Sequence, residues 1–269
     1  MSLSGYVFAG LFLVNPSYAA RPNNTGNALL RYGGHVDADL YHRWLTLSYD
    51  LNVFTDRSDG ARSPIAPTEH DHIVGLLTTI ALPRRLDLTL AVHYENDQPG
   101  YEATGPTRAR LPDCDPRVVG VPCYQAGYSQ SYVDAYARLG FARGRFTLAF
   151  ALGGFLWNES YAARPDNSGL ALLRYVAHGE VALLPWLVYR LDLNFFTDRQ
   201  DRYVIPTEVD LTSELAAKVR AFELRLVGEV DLPLHAYPGG PNPPSQAGIR
   251  QAYLALLLQW SFDAARLAR

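Results

Sequence analysis

The stretch WLTLSYDLNV, Trp44 to Val53, decides the fold. One alternate set reads Leu45, Leu47, Tyr49, Leu51 and Val53, and the other reads Thr46, Ser48, Asp50 and Asn52. A helix would mix these sets around its circumference; only an extended strand sends successive side chains to opposite faces and keeps them apart. The same separation appears in Leu86 to Glu95, where Leu86, Leu88, Leu90, Val92 and Tyr94 alternate with Asp87, Thr89, His93 and Glu95. It appears again in Phe222 to Asp231, with Phe222, Leu224, Leu226 and Val230 against Glu223, Arg225, Glu229 and Asp231. Period two dominates the chain.

Working outward, the first stretch has a copy. Asp50-Leu-Asn-Val-Phe-Thr-Asp-Arg57 recurs as Asp192-Leu-Asn-Phe-Phe-Thr-Asp-Arg199, and Ser17 to Tyr32 (SYAARPNNTGNALLRY) recurs as Ser160 to Tyr175 (SYAARPDNSGLALLRY). Pro67-Thr-Glu69 matches Pro206-Thr-Glu208, and Asp134-Ala-Tyr136 more weakly matches Gln251-Ala-Tyr253. The offset drifts only in polar connections, as a duplicated scaffold would keep its strands and edit its loops. Two halves are therefore expected, repeat A over about 3–142 and repeat B over about 146–262, with a tail at 263–269. Tyr6 to Val14 (YVFAGLFLV) has the look of a secretory apolar segment. Because residues 3–14 correspond to the internal segment 146–157, it is expected to be a strand of the mature protein, with any signal peptide lying outside this sequence.

Twelve strands are expected, near 4–14, 28–40, 43–55, 69–82, 85–97, 129–142, 145–157, 170–183, 187–198, 206–217, 220–232 and 249–262. Connections alternate between tight turns and longer stretches rich in Pro, Gly, Asn and Asp. An even number of strands, short turns on one rim and long loops on the other is the pattern of a transmembrane antiparallel barrel.

Bulk figures narrow the alternatives. In 269 residues the formal net charge is −3 and 19% are charged, with no strongly basic balance to suggest a nucleic-acid partner. No window holds the roughly eighteen apolar residues that a helical span needs, which leaves barrel strands possible. A soluble closed barrel of this size would have to fill a wide interior with apolar side chains, whereas eight strands already give an interior that side chains just fill. The polar face is easier to place inside, where its charges can pair, and the apolar face then meets lipid. Trp44, Trp186, Trp260 and Tyr189 sit near strand ends, as interfacial aromatics do. Mean hydropathy of −0.09 is the cancellation of these two faces.

The last strand, Ala252 to Phe262 (AYLALLLQWSF), resembles the aromatic-ended closing strand of Gram-negative outer-membrane β-barrel proteins. The likeness is one of architecture over the whole chain, porin-like in general and without a specific family. Asp263 to Arg269 extend past the aromatic end, a departure from that pattern. The resemblance implies an outer-membrane location and a lipid bilayer as partner.

The polar strand faces supply the candidate site. Asp37, Asp39, Asp50, Glu69, Asp71, Asp87, Glu95, Asp134, Glu180, Asp192, Glu208, Asp210, Glu214, Glu223, Glu229 and Asp231 are expected inside, with Asn52 and Asn194. The cations facing them are Arg31, Arg138, Arg174, Arg190 and Arg225, with His35, His93 and His178 partly charged at most. Sixteen carboxylates against five arginines make a lumen that attracts cations. The expected function is a narrow, cation-preferring channel for small polar solutes. One alternative is a lumen filled by the same groups as a salt-bridge network, a structural or partner-binding barrel. Another is a lipid- or lipopolysaccharide-modifying enzyme, against which no GxSxG is present and no serine recurs beside His35–Asp37 and His178–Glu180. No enzymatic role, cofactor or metal is expected.

Cys114 and Cys123, within the longest polar loop, are expected to form a local disulfide. In Glu69-His-Asp-His72 the two histidines share one strand face and the two acids the other, and the copy Glu208-Val-Asp-Leu211 lacks both histidines. That segment reads as solvated rim charge rather than a four-ligand metal site. Tyr18 to Pro22 with Phe54 to Arg57, and Tyr161 to Pro165 with Phe196 to Arg199, mark the long-loop rim on opposite sides. There Arg21, Arg57, Arg164 and Arg199 are expected to brace loops against Asp56 and Asp198.

Overall fold

The computed structural model describes residues 2–14, 28–41, 44–56, 69–99, 130–157, 171–198, 206–233 and 251–263. Twelve strands run β1 Leu3–Val14, β2 Ala28–Tyr41, β3 Leu45–Asp56, β4 Glu69–Leu82, β5 Leu86–Pro99, β6 Gln130–Arg143, β7 Phe146–Trp157, β8 Ala171–Leu184, β9 Leu187–Asp198, β10 Pro206–Val219, β11 Phe222–Pro233 and β12 Gln251–Asp263. Each pairs antiparallel with its sequence neighbours, and β1 pairs with β12, so the sheet closes on itself without an edge. Closure satisfies every ladder within the sheet, the condition for β-structure in hydrocarbon.

Five connections are tight turns, joining β2–β3, β4–β5, β6–β7, β8–β9 and β10–β11 on one rim. They take left-handed backbone at Arg84, Arg85, Gly144 and Arg220. Strand limits follow the alternation to within two residues. At Lys218 the difference has a consequence: β10 continues to Val219, so this residue belongs to the strand rather than to the turn.

The alternating faces are inverted relative to a soluble protein. Leu11, Leu76, Leu90, Val92, Phe150, Leu152, Leu224 and Leu258 are exposed on the outside, whereas Thr89, Asp134, Glu214 and Glu223 are buried inside. Tyr41, Trp44, Phe146, Trp186, Phe222 and Trp260 are exposed at the short-turn ends of their strands. Such a band of apolar side chains bounded by aromatics is what a bilayer covers.

The interior is not uniformly polar, contrary to the expectation from alternation. Phe12, Val227, Tyr253, Ala255 and Leu257 form a buried cluster, with Phe8 and Phe54 packed against it. Phe12 meets Tyr253 edge to face at 5.4 Å between centroids. The inward set of β1 is Tyr6, Phe8, Gly10 and Phe12, so this strand is apolar on both faces. That two-sided character was the sequence signal of an apolar inner wall.

Two hairpins of matching sequence carry matching irregularities. Register shifts between Ala28 and Arg31 against β3, and between Ala171 and Arg174 against β9. Each bulge frees a backbone N–H from the ladder. The Leu30 N–H donates to Thr55 Oγ1 at 3.2 Å, and the Leu173 N–H donates to Thr197 Oγ1 at 3.1 Å. Both threonines are essentially fully buried. The repeated Phe-Thr-Asp motif thus has a structural use in its threonine, and the arginines expected to brace the loops, Arg21, Arg57, Arg164 and Arg199, lie outside the described residues. So do Cys114 and Cys123.

Candidate functional site: the barrel lumen

The sheet brings the predicted interior residues together in layers. Near the short-turn rim, Arg190 on β9 donates through Nε to Glu180 at 2.8 Å and through Nη1 to Glu223 at 2.9 Å, and it also bonds Glu214. Arg225 on β11 donates to Glu214 Oε2 at 2.8 Å and to Gln259 Oε1 at 2.8 Å. Lys218 Nζ lies 3.5 Å from Glu223, a cation absent from the sequence-based set because its strand seemed to end one residue earlier. Three cations meet three carboxylates here, and the Glu214 side chain is only 6% exposed. The cluster is charge-balanced and crosses the inner wall from β8 to β12.

Further in, the matching hairpins present matching pairs. His35 Nδ1 sits 2.8 Å from Asp50 Oδ1, and His178 Nδ1 sits 2.7 Å from Asp192 Oδ1. Arg31 donates to Asn52 Oδ1 at 2.8 Å, and Arg174 donates to Asn194 Oδ1 at 2.8 Å. β3 and β9 are six strands apart in the closed order, so Asp50 and Asp192 face each other across the lumen. Both line one cavity of about 390 Å³, together with Tyr6, Phe8, Arg31, Asn52, Thr212, Glu214, Arg225, Glu229 and Tyr253. Arg31 also lies 5.5 Å from the ring centroids of both Phe8 and Phe54, joining the charged wall to the aromatic one.

The remaining predicted residues pair locally. Arg138 reaches Asp87 at 3.4 Å, and Asp134 lies 3.5 Å from His93 and 4.0 Å from Arg174. Tyr132 donates to Glu95, while Glu229 accepts from Tyr253 at 2.8 Å and Thr212 at 3.3 Å. Asp210 is placed at the register position between Asn194 and Asp231, with one oxygen buried and unbonded. The side chains of Glu69, Glu208 and Asp231 lie outside the described set.

His35 bears on nucleophile chemistry. Its Nε2 is 3.0 Å from Asp37 while its Nδ1 meets Asp50, so both ring nitrogens are engaged by carboxylates. Neither is left to take a proton from the buried Ser48 opposite Asp37.

His70 and His72 share one face of β4, at its long-loop end, as the alternation predicts. They point to the outer face of β4 rather than to the lumen, and they bond each other.

No protein-family model and no curated protein matches the chain. Among solved structures, outer membrane phospholipase A from Escherichia coli is similar with a TM-score of 0.51 at 12% identity, over 97% of this chain and 96% of that one. The Salmonella typhi outer membrane phospholipase dimer with bound calcium is similar with a TM-score of 0.52 at 13% identity, over 96% of this chain and 90% of that one. The COG4313 outer membrane channel from Pseudomonas putida F1 gives 0.47 at 14% identity, over 97% and 95%. At these identities the first two likenesses show the fold: a closed twelve-strand barrel of the outer-membrane type.

Proposed function

We propose that the chain is an outer-membrane barrel, built from two six-stranded repeats, that passes small cations or cationic polar solutes through a narrow lumen. The observation carrying this reading is the central cavity of about 390 Å³, whose walls set Asp50, Asp192, Glu214 and Glu229 against Arg31 and Arg225. Carboxylates in excess over cations in a confined, low-dielectric space raise the local concentration of positive solutes and exclude anions. The Arg190 cluster shares Glu214 and Arg225 with this wall and continues it toward the short-turn rim. The duplicated hydrogen bonds of β2–β3 and β8–β9 support the repeat.

A second reading is favoured by the same cluster. Arg190 ties three carboxylates from three other strands, which is also how a filled scaffold would be knitted. Phospholipid hydrolysis, the activity in the names of two structural relatives, finds no support in His35, whose nitrogens are both occupied. Our reading is passage rather than catalysis, on the strength of the carboxylate-rich cavity.

Single-channel recording of the full chain in planar bilayers tests the assignment. Small discrete steps are expected, with a reversal potential in a KCl gradient displaced toward the potassium equilibrium potential. A silent bilayer would overturn it in favour of the scaffold, and phospholipid turnover by the purified protein in favour of an enzyme.

A further inference from the structure

The outer face of β4 carries a pair of side chains that the fold does not require. His70 and His72 face outward, in line with Val74, Leu76 and Ile80 on the apolar surface. The matching strand β10 has Val209 and Leu211 at the corresponding positions, so the same scaffold folds with apolar residues there. Two adjacent outward imidazoles at this end of the strand are therefore not needed for folding, which asks what they are for.

The two rings are hydrogen-bonded, which brings two nitrogens within the span of one metal ion. His70 Nδ1 and His72 Nε2 approach to 2.8 Å, with the rings nearly perpendicular at 84°. For metal–nitrogen bonds of about 2.0–2.1 Å, two cis nitrogens at a right angle lie about 2.9 Å apart, whereas a tetrahedral angle needs about 3.3 Å. That 2.8 Å is also the hydrogen bond between the metal-free rings, so the choice of metal rests on donor type: for imidazole nitrogens the affinity of divalent first-row cations peaks at copper(II). The second nitrogen of His72, Nδ1, is held 2.7 Å from the Tyr49 hydroxyl, the type of outer-shell bond that orients a ligating imidazole. On the neighbouring strand Asn96 stands opposite His72 and donates to the Tyr94 hydroxyl at 3.1 Å, extending the polar patch.

We propose that His70 and His72 form a two-histidine site for a divalent late-transition cation, copper(II) foremost, on the outward surface near the long-loop rim, with Tyr49 as a positioning residue. In the apo state one imidazole N–H fills the gap between the rings; on binding, that proton moves to the other nitrogen of the same ring, so that both rings stay neutral and both facing nitrogens turn their lone pairs to the metal. Water completes the coordination.

The test is Cu²⁺ titration of the full chain in detergent, followed by electron paramagnetic resonance and isothermal calorimetry. The decisive variant is His70→Val with His72→Leu, which makes β4 read as β10 does and so preserves the barrel, as its heat-modifiable gel mobility would check. One equivalent of Cu²⁺ bound through two nitrogens is expected, with affinity falling at least tenfold in this variant. Tyr49→Phe is expected to weaken binding several-fold without altering stoichiometry. Equal Cu²⁺ binding by the native chain and the double variant would overturn the proposal, as would no binding by the native chain. Should the double variant misfold, His72→Gln is the substitute, and binding undiminished there would also overturn it.

Discussion

The Thr55 hydroxyl accepts the Leu30 backbone N–H at the point where β2 bulges away from β3. Thr197 does the same for Leu173 in the opposite hairpin. Thr55→Val keeps the shape and removes the acceptor, leaving a buried N–H unsatisfied at a cost of about 1–3 kcal/mol. Thr197→Val is expected to cost a similar amount, and because the sites lie on opposite sides of the barrel the double variant should be additive to within about 0.5 kcal/mol. Urea unfolding in lipid vesicles measures all three. A double variant no weaker than either single one would show that the bulges do not depend on these hydroxyls.

Removing Arg190 tests the charge cluster at the short-turn end of the lumen. Arg190→Met leaves Glu180, Glu214 and Glu223 without their shared partner, and stripping one member from a buried ion cluster costs about 3–5 kcal/mol. The same change widens and further acidifies the short-turn half of the lumen. Conductance and cation selectivity are both expected to rise in bilayer recordings. Unfolding measured in parallel separates this outcome from general damage, since an opened pore in a folded barrel raises current without broadening the unfolding transition.

The outward face gives a depth-dependent prediction. Phe150 lies mid-strand on β7 and Phe222 begins β11 at the short-turn rim, both exposed on the apolar face. Arginine at the bilayer midplane of a barrel costs about 2–4 kcal/mol and near an interface at most about 1. Phe150→Arg should therefore destabilise the barrel by the larger amount and Phe222→Arg by the smaller, as read by unfolding in vesicles. Equal costs would place the membrane elsewhere along the strands.

The barrel was legible because alternation is a property of single residues: Leu45 to Val53 against Thr46 to Asn52 needs no partner to be read. The same holds for Asp50 and Asp192, whose inward direction follows from their position in the alternation. What they touch was not legible, because the His35–Asp50 and Arg190–Glu223 bonds depend on inter-strand register, which no local pattern encodes. Lys218 was misplaced by a boundary error at a turn. The aromatic inner wall was missed although β1 carried its signal: Tyr6, Phe8 and Phe12 alternate with Val7 and Leu11, leaving no polar face to put in a lumen. For His70 and His72 the shared face follows from alternation, while the bond between the two rings depends on side-chain placement that alternation does not encode.

Glycine content separates two roles that sequence alone cannot. A Cβ built on Gly33 would fall 1.9 Å from the Leu51 carbonyl oxygen, a backbone atom that cannot swing away, whereas one on Gly179 meets nothing closer than 3.8 Å. Gly33 therefore permits β2 and β3 to approach beside the bulge, and Gly33→Ala must push the hairpin apart. Its cost should exceed that of an ordinary strand substitution, with unfolding at lower urea and slower assembly into vesicles. Gly179→Ala instead trims the freedom of the unfolded chain and adds a methyl in open contact, so it is expected to stabilise by about 0.4–1 kcal/mol. Opposite signs at two glycines of the same sheet would locate the constraint in backbone approach rather than in strand propensity. A neutral Gly33→Ala would mean that the ladder there adjusts, and the Thr55 bond would then be expected to weaken with it.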